Sequence, residues 1–402
     1  MLKKHRVEPL YIPHEAMRFS GFRAMLEVAQ RPGCSYMYGA LGMYMFSHAV
    51  WLAKEMQRGS FERIVFIARD GYWVKRAYDV VAPALGVHVP SDYVRISRKA
   101  AFPLHFHQPE DLARMPEWVD VTAHTPETLC ELLRPSLRMD EVDAVMEAAG
   151  LPWQQLLTEA ALPRFVTACQ SCWDAAGAEA YREHARAYIA PKFAGKCATF
   201  DVGYNLRSET VIRELTGADV TAFITHTDSD LPDRRGVPYH TLYGQSPWVS
   251  WVAREQFLLE DAPLCVGYDA AGPVLAETHA PVSTAIRESQ EAALAFVKDM
   301  VSSHGAELAG MPFRPQDGCA PFEHYLHRAP RRDMLPFRRN ELENDFHAGA
   351  AGEDGAFLQW RLMQTDYRAA VTDEPKWLNR LRRLIIRVRE EPRTVPGKLR
   401  RR

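Results

Sequence analysis

Clusters of charged and small residues follow three short apolar segments that have the composition of buried β-strands. The clusters are Arg69-Asp70-Gly71, Ser97-Arg98-Lys99 and Asp201-Val202-Gly203-Tyr204. Two carboxylates in one pocket suit proton transfer or Mg²⁺ binding, so we expect catalytic or metal-binding roles for Asp70 and Asp201. The alternative is that the charged residues pair with one another and only terminate the strands.

The basic residues of the same clusters are candidates for holding a phosphate group. Arg69 and Arg98 can present a bidentate fork to phosphate oxygens, and Lys99 adds a point charge. Because glycine has no side chain, Gly71 and Gly203 would let backbone N–H groups approach an anion. The clusters therefore predict a site for a phosphorylated ligand.

The segments around these clusters predict an α/β fold. Strand character appears at 63–68, 91–97, 196–203 and 219–227, with helical spacing between the strands. This order is typical of a mostly parallel, Rossmann-like sheet, in which ligands bind outside the carboxyl ends of the strands. If the strands are parallel neighbours, all three clusters line one crevice.

Composition and spacing divide the chain into five segments. They are N-terminal helices (1–58), an α/β core (59–102 with 196–280), a helical insertion that caps the core (103–195), a C-terminal helical region (281–375) and a basic amphipathic tail (376–402). A hairpin is expected late in the core, with its turn at Asp269–Gly272. In the C-terminal region, residues 311–355 are expected to be loop and residues 356–371 a core-packing helix.

The overall composition is that of a soluble globular protein, with 47% hydrophobic and 25% charged residues among 402. A net charge of −2 gives no case for nucleic-acid binding. Seven scattered cysteines favour reduced thiols and a cytoplasmic location over a disulfide framework. No apolar run follows the basic N-terminus, so we expect no signal peptide. The charge-free stretch 35–53 is expected to form a buried or groove-lining helix rather than a membrane span.

The tail predicts a basic amphipathic helix. Its apolar residues fall on one helical face: Trp377, Leu378, Leu381, Leu384, Ile385 and Val388. Residues 376–402 carry eleven Lys or Arg and two Glu, a net charge of +9, so the remainder carries −11 if the whole chain carries −2. This pattern is typical of a helix that lies on an anionic membrane surface, here the inner membrane. The alternative is a terminal helix packed on the protein.

Four sequence blocks together resemble a bacterial family. "FIARDGYW", "YVRISRKA", "FDVGYNLRSETVIREL" and "EQFLLEDAP…VGYD" are similar, in the same order, to blocks of predicted haloacid dehalogenase (HAD) superfamily proteins. Those proteins are associated with glycosyltransferases of cell-surface polysaccharide biosynthesis. The resemblance implies a HAD-like core and a role in that synthesis. Phosphoribosyltransferases have a similar order of elements, but "FDVGYNLRSET" does not match their Asp-Asp-x-x-x-Thr-Gly loop.

The resemblance also implies roles for individual residues. A HAD phosphohydrolase has Asp-x-Asp-Gly-Thr after its first strand; here Ala68 replaces the nucleophilic Asp, and Asp70 matches the general acid/base. Ser97 matches the Ser or Thr that ends the second strand, and Asp201 matches the acidic motif that holds Mg²⁺. Since alanine cannot form an aspartyl-phosphate, the usual covalent mechanism is excluded under this alignment. The substrate-binding residues implied by the blocks are Tyr72, Tyr204, Arg207 and Glu260.

The function expected from these observations is binding of a phosphorylated or nucleotide-activated sugar and phospho- or glycosyl transfer in surface-polysaccharide synthesis. Two alternatives stay open. One is a catalytically inactive module that binds ligand or docks a glycosyltransferase, for which Ala68 is the main reason. The other is a phosphohydrolase with a non-standard nucleophile.

Overall fold

A computed structural model describes residues 10–227, 235–243, 251–279, 281–337, 355–372 and 374–390 of the protein. These residues contain a five-stranded parallel sheet with helices on both faces. Its strands are β1 (Arg63–Ile67), β2 (Ser91–Val94), β3 (Lys196–Asp201), β4 (Asp219–Ile224) and β5 (Tyr239–Thr241). The predicted mixed α/β fold with a parallel sheet is confirmed, although the sequence did not indicate the three-residue strand β5.

The strand order is β2-β1-β3-β4-β5, with every neighbouring pair parallel. From β1 the chain proceeds outward to β2 on one side, and it returns to the other side of β1 to form β3. The order therefore reverses between β1 and β3. In open α/β sheets this reversal opens a crevice at the carboxyl ends of the two strands, where ligands bind.

The N-terminal part of the chain supplies four helices, which are α1 (Ser20–Ala29), α2 (Tyr36–Gly59), α3 (Gly71–Ala84) and the short α4 (Arg98–Ala101). The first three pack on one face of the sheet, and α4 packs on the other. The hydroxyl of Ser35 caps α2 by accepting a hydrogen bond from the backbone N–H of Tyr38 at 3.1 Å. Every residue of α2 from Met37 to Ala53 is buried, which confirms the predicted buried helix. No helix in the described ranges has the length and hydropathy needed to cross a membrane.

The two faces of the sheet pack against different helices, because successive strand residues point to opposite sides. Phe66 and Phe200, whose rings are 5.7 Å apart, belong to one core with α2 and α3. Val65 and Cys197 belong to a second core on the other face. The first core explains why the charge-free helix α2 lies inside the protein.

The insertion has its own hydrophobic core. Its helices are α5 (Pro126–Leu133), α6 (Met139–Ala148), α7 (Leu162–Ser171) and α8 (Ala175–Ile189), and α9 (Arg207–Thr216) follows β3. Buried residues between Phe102 and Trp173 form this core, which includes the buried free thiols of Cys169 and Cys172. In contrast, α8 packs through Tyr181 onto the core beside the sheet. By its packing, the independent part of the insertion therefore ends near Trp173 rather than at residue 195.

The C-terminal part adds a hairpin and further helices. The elements are α10 (Trp251–Leu258), β6 (Cys265–Asp269), β7 (Gly272–Leu275), α11 (Thr284–Leu308), α12 (Pro315–Arg328), α13 (Arg331–Met334), α14 (Gly355–Val371) and α15 (Lys376–Glu390). Asp269 pairs with Gly272 in the antiparallel β6–β7 hairpin, as predicted. The expectation of loop over 311–355 is wrong for residues 315–328 and 331–334, and residues 338–354 lie outside the described ranges. Pro315 starts α12 where its missing N–H costs nothing, and Phe322 and Leu326 are fully buried.

The tail helix α15 packs with its polar side inward. Arg382 pairs with Glu374 and Arg383 pairs with Asp366, while the Asn379 amide donates a hydrogen bond to Asp366 at 3.0 Å. The apolar residues that face outward include Trp377 (66% exposed), Leu381, Leu384 and Ile385 (56% exposed). Within the described ranges, α15 therefore meets the protein through ion pairs and leaves most of its predicted apolar face to solvent.

Candidate active site

The three predicted clusters meet at one edge of the sheet. They follow β1, β2 and β3, which are parallel neighbours. Asp70 immediately precedes α3, Ser97 immediately precedes α4, and Asp201 is the last residue of β3. The expectation that the clusters share the carboxyl edge is confirmed, and the reversal of strand order lies between Asp70 and Asp201.

Arg69 contacts the segment before the hairpin. Its side chain is 9% exposed, and Nη1 donates a hydrogen bond to the carbonyl oxygen of Ala262 at 3.1 Å. The carbonyl oxygen of Arg69 accepts a hydrogen bond from the backbone N–H of Glu260 at 3.3 Å. Arg69 therefore connects the end of β1 to residues 260–262, which is a structural role. The predicted binding of phosphate would be a second role of the same side chain.

Glu260, for which the resemblance implies substrate binding, lies beside the end of β2. Arg95 Nη1 and Nη2 donate to its two carboxylate oxygens at 3.2 and 3.1 Å, and the Tyr93 hydroxyl donates at 2.8 Å. Burial and the Glu260 carboxylate raise the pKa of Tyr93. Arg95 and Tyr93 were not predicted as site residues; together with Glu260 they form the wall of the crevice on the β2 side.

Ser97 has a structural role in the described fold. Its hydroxyl donates to the carbonyl oxygen of Cys265 at 2.6 Å and accepts from the N–H of Ala100 at 3.1 Å. The side chain thus caps α4 and holds the hairpin against β2. The predicted catalytic role of Ser97 would require one of these hydrogen bonds to open.

Asp70 lies near two tyrosines, the half-buried Tyr93 and the buried Tyr204. Its negative charge contributes to the raised pKa of Tyr93 and of Tyr204, although burial is the main cause for both hydroxyls. Tyr72, the second residue of α3, is half-buried with its ring 5.8 Å from the ring of Tyr93. Asp70 and these three tyrosines are therefore neighbours at this edge of the sheet.

The two predicted glycines are required by close packing. A Cβ atom at Gly203 would lie 2.8 Å from Asp201 Oδ2, and one at Gly71 would lie 3.2 Å from Phe66 Cβ. The N–H of Gly203 donates to Asp201 Oδ1 at 3.0 Å. This N–H therefore already has an anionic acceptor inside the protein. Lys99 is half-buried in α4.

Two carboxyl groups lie close together beside the end of β3. Glu209, in the first turn of α9, is 1% exposed and within 3.5 Å of the Thr199 hydroxyl, which donates to it. Burial raises the pKa of Asp201, and burial together with the Asp201 charge raises the pKa of Glu209 to about 8. At neutral pH the Glu209 carboxyl therefore keeps its proton and can act as a general acid.

Two arginines act on this pair of carboxyl groups. The charge of Arg98, exposed at the start of α4, favours the ionised form of Asp201. Arg235 favours the ionised form of Glu209. Arg207, the first residue of α9, acts together with Arg235 on His105. Guanidinium groups near two acidic groups form an environment in which a phosphate and a proton donor can both be held.

The insertion closes the site from above through two aromatic side chains. The His105 and Trp118 rings stack with centroids 3.4 Å apart, and the Arg235 guanidinium lies 4.3 Å from the Trp118 centroid. Burial, with the charges of Arg235 and Arg207, holds the pKa of His105 well below its ordinary value. His105 is therefore neutral at physiological pH, and the cap contributes aromatic surface to the site.

The site residues missed by the sequence reasoning are Glu209, Arg235, His105 and Trp118. Glu209 did leave a signal, because it shares a helical face with Ile212 and is buried with it. A charged residue on the apolar face of an amphipathic helix needs a partner or a function. For Arg235 and the two insertion residues, only the tertiary contacts reveal the role.

The predicted Mg²⁺ site at Asp70 and Asp201 has no further ligands in the described fold. No group of three or more His, Cys, Asp or Glu side chains there is arranged to hold a metal ion. One Asp201 oxygen already accepts the Gly203 N–H. Mg²⁺ binding by Asp70 and Asp201 therefore stays a prediction, and the proton transfers proposed for this site do not depend on it.

The fold and site define a doubly wound α/β protein with a helical cap over its carboxyl edge. A scan against protein-family models finds no match, and a search of curated proteins finds no significant match. The resemblance to HAD-like proteins of polysaccharide synthesis therefore stays a prediction from the four sequence blocks.

Proposed function

We propose that the protein binds a phosphorylated or nucleotide-activated sugar under its helical cap and catalyses phospho- or glycosyl transfer in bacterial surface-polysaccharide synthesis. The observation that carries this proposal is the pair of half-buried Asp201 and buried Glu209, on which the charges of Arg98 and Arg235 act. A transfer reaction with a phosphate-bearing leaving group requires a proton donor and positive charges that bind the phosphate. The protonated carboxyl group and the nearby arginines can supply both. Arg98, Arg207 and Arg235 would hold the phosphate oxygens.

The proposed proton transfers use two acidic groups on opposite sides of the β1–β3 gap. Glu209 donates its proton to the leaving-group oxygen as the bond to the transferred group breaks. Asp70 accepts the proton of the attacking hydroxyl group as the new bond forms. Asp201 takes no part in these transfers. Its negative charge favours the protonated form of Glu209. His105 and Trp118 would exclude water from the leaving group.

The proposal is tested with a thermal-shift panel of nucleotide sugars, sugar phosphates and nucleotides, each with and without Mg²⁺. A ligand that binds only the folded protein stabilises it by RT ln(1 + [L]/Kd). We expect one ligand class to raise the melting temperature in the wild type, with a smaller shift in Arg98→Ala. Turnover of that ligand should be lost in Asp70→Asn and kept in Asp219→Asn, an exposed aspartate at the opposite end of β4. Full turnover in Asp70→Asn would refute the assignment.

The second candidate function is a catalytically inactive module that docks a glycosyltransferase. The observation that favours it is Ala68, which stands where the resemblance expects a nucleophilic aspartate. Its backbone N–H donates to the Val94 carbonyl at 3.0 Å, so it continues the pairing of β1 with β2. Ligand binding without turnover would favour this function. Phosphate release from a simple sugar phosphate would instead favour a phosphohydrolase with another nucleophile.

We further propose that α15 places the protein at an anionic membrane surface on the cytoplasmic side. The support is the outward apolar face of α15, with Trp377 and Ile385 more than half exposed. Exposed Arg380 and Arg387 lie on the same helix, and by sequence the chain continues with more basic residues. Apolar side chains next to arginines match the boundary between acyl chains and anionic headgroups.

Vesicle co-sedimentation tests this surface. We expect binding to vesicles containing phosphatidylglycerol, weak binding to phosphatidylcholine alone, and loss of binding in the double variant Leu381→Glu with Ile385→Glu. Leu156→Glu is the control, because Leu156 is 62% exposed but lies in the insertion. Equal binding of both variants would refute a membrane role for α15.

A further inference from the structure

A second group of buried polar side chains lies at the same edge of the sheet, beside α2. Its members follow β3, β4 and β5 or belong to α2, α10 and α12, and we call them the Arg254 chamber: Tyr44, Tyr204, His226, Tyr243, Arg254 and Glu323. The Tyr204 and His226 ring centroids are 4.6 Å apart. The Arg254 charge acts on the titration of Tyr44, Tyr204 and His226, which places all of them near one guanidinium group.

Arg254 is fully buried but only partly paired. Its Nε donates to Glu323 Oε1 at 3.0 Å, and its Nη2 donates to the two carboxylate oxygens at 2.7 and 2.8 Å. Its Nη1 has no hydrogen-bond partner among the residues that the structure describes. A buried guanidinium nitrogen without a partner has lost its hydrogen bonds to water and has no protein acceptor in their place. Nη1 therefore indicates that a ligand atom can bind here.

Two more polar atoms of the chamber share this property. The Tyr204 hydroxyl group and the Nδ1 atom of His226 are buried, and neither has a hydrogen-bond partner in the described ranges. The Tyr44 and Tyr243 hydroxyl groups instead interact with Thr225 and Cys319. Native proteins contain few buried polar atoms without a partner, and each needs an explanation. Three of them, one on the guanidinium group of Arg254 and two beside it, indicate that the chamber is built for a polar ligand.

A surface cavity adjoins the chamber. Its volume is about 480 Å³, and its walls include both Tyr243 and Glu323, the residue that holds Arg254. Two stacked pairs flank it, Tyr11 on His324 with ring centroids 4.4 Å apart and His327 on Tyr367 at 4.1 Å. A cavity of this size, with aromatic faces and a few convergent polar groups, is typical of a small-molecule site.

The charges in the chamber favour an uncharged ligand. The two-oxygen contact with Glu323 already neutralises Arg254. Burial, with the Arg254 charge, lowers the pKa of His226 to about 2, so its imidazole is neutral. Burial raises the pKa of Tyr44 and Tyr204, so their phenols stay protonated. An anion would remain uncompensated here, whereas hydroxyl groups can both donate to and accept from the unpaired atoms.

We propose that the Arg254 chamber and its cavity bind an uncharged, hydroxyl-bearing ring such as a glycosyl unit. The aromatic pairs would contact the ring faces, while Arg254 Nη1, His226 and the tyrosine hydroxyl groups would bind its hydroxyl groups. Tyr204 also lies near Asp70, so the ring would sit beside the crevice. Its role as the sugar acceptor rests on the proposed function, whereas the binding site itself does not.

Binding of methyl glycosides to the full chain tests this proposal. Saturation-transfer NMR and calorimetry measure binding of the methyl glycosides of glucose, galactose and N-acetylglucosamine. Inorganic phosphate serves as the anionic probe. We expect at least one glycoside to bind, with affinity weakened by about fivefold in Tyr204→Phe and in Tyr44→Phe. Tyr78→Phe is the control, because the buried Tyr78 hydroxyl donates to Val89 at 3.1 Å, away from the chamber.

Three results would overturn the proposal: no glycoside binds, binding is unchanged in Tyr204→Phe and Tyr44→Phe, or phosphate occupies the chamber in place of a glycoside. Turnover, measured separately from glycoside binding, tests the proposed function. Asp70→Asn should keep glycoside binding while it loses turnover. Glycoside binding that depends on Tyr204, without turnover of any activated sugar, would support the chamber and refute the proposed transfer.

Discussion

Replacing Glu209 by glutamine tests the central electrostatic feature of the candidate active site. In the folded protein the pKa of Glu209 is raised from 4.5 to about 8. Each pKa unit corresponds to 1.36 kcal/mol, so ionising this buried group costs on the order of 5 kcal/mol more in the folded protein than in the unfolded chain. The unfolded chain releases the proton at lower pH. The wild type should therefore lose stability as pH rises from about 4.5 to about 8.

Glutamine carries no titrating proton, so Glu209→Gln should remove most of this pH dependence. We expect wild type and variant to have similar urea midpoints near pH 5, and the variant to have the higher midpoint near pH 9. Infrared difference spectra should also show a protonated carboxyl band that disappears between pH 7 and 9 in the wild type only. Glu288→Gln, an exposed glutamate on α11, should behave as the wild type. An unchanged pH dependence in Glu209→Gln would refute the buried, protonated Glu209.

Three further substitutions examine other parts of the structure by urea unfolding. Glu323→Gln should destabilise the protein by about 3–5 kcal/mol, because it leaves the buried Arg254 charge without its partner; a loss below about 1 kcal/mol would contradict the buried ion pair. Gly203→Ala should lower stability and turnover together, since its Cβ would lie 2.8 Å from the Asp201 carboxylate; an unchanged crystal geometry at Asp201 would argue against this packing. Leu129→Ala should cost about 2–5 kcal/mol within the insertion, and hydrogen exchange should show the loss there and not in the sheet.

The candidate site and the Arg254 chamber occupy neighbouring parts of the same carboxyl edge. The first combines an arginine-rich environment with two acidic groups, and the second combines neutral polar atoms with aromatic faces. Tyr204 lies between them, because its pKa responds to both Asp70 and Arg254. This division of chemistry suits a transfer reaction in which an anionic donor and an uncharged acceptor bind side by side.

Local sequence was enough to predict strands β1 to β4, the hairpin turn and the edge of the sheet that carries Asp70 and Asp201. Buried parallel strands need continuous apolar residues, and polar residues follow where each strand reaches solvent. The same reasoning predicted the buried helix α2, because nineteen consecutive residues without charge must be covered by other apolar surface. It did not predict α12, because a stretch rich in Pro and Arg is typical of loop, whereas Pro315 only starts a helix whose apolar residues are buried by α2.

What the sequence by itself determined is the α/β fold, the parallel edge and the clusters that lie along it. Only the tertiary structure brought Glu209 next to Asp201, stacked His105 on Trp118 and placed Arg254 near two tyrosines from separate elements. The physical reason is that strand and helix patterns depend on residues a few positions apart. Protonation states and unpaired polar atoms instead depend on burial and on charges that long-range packing brings together.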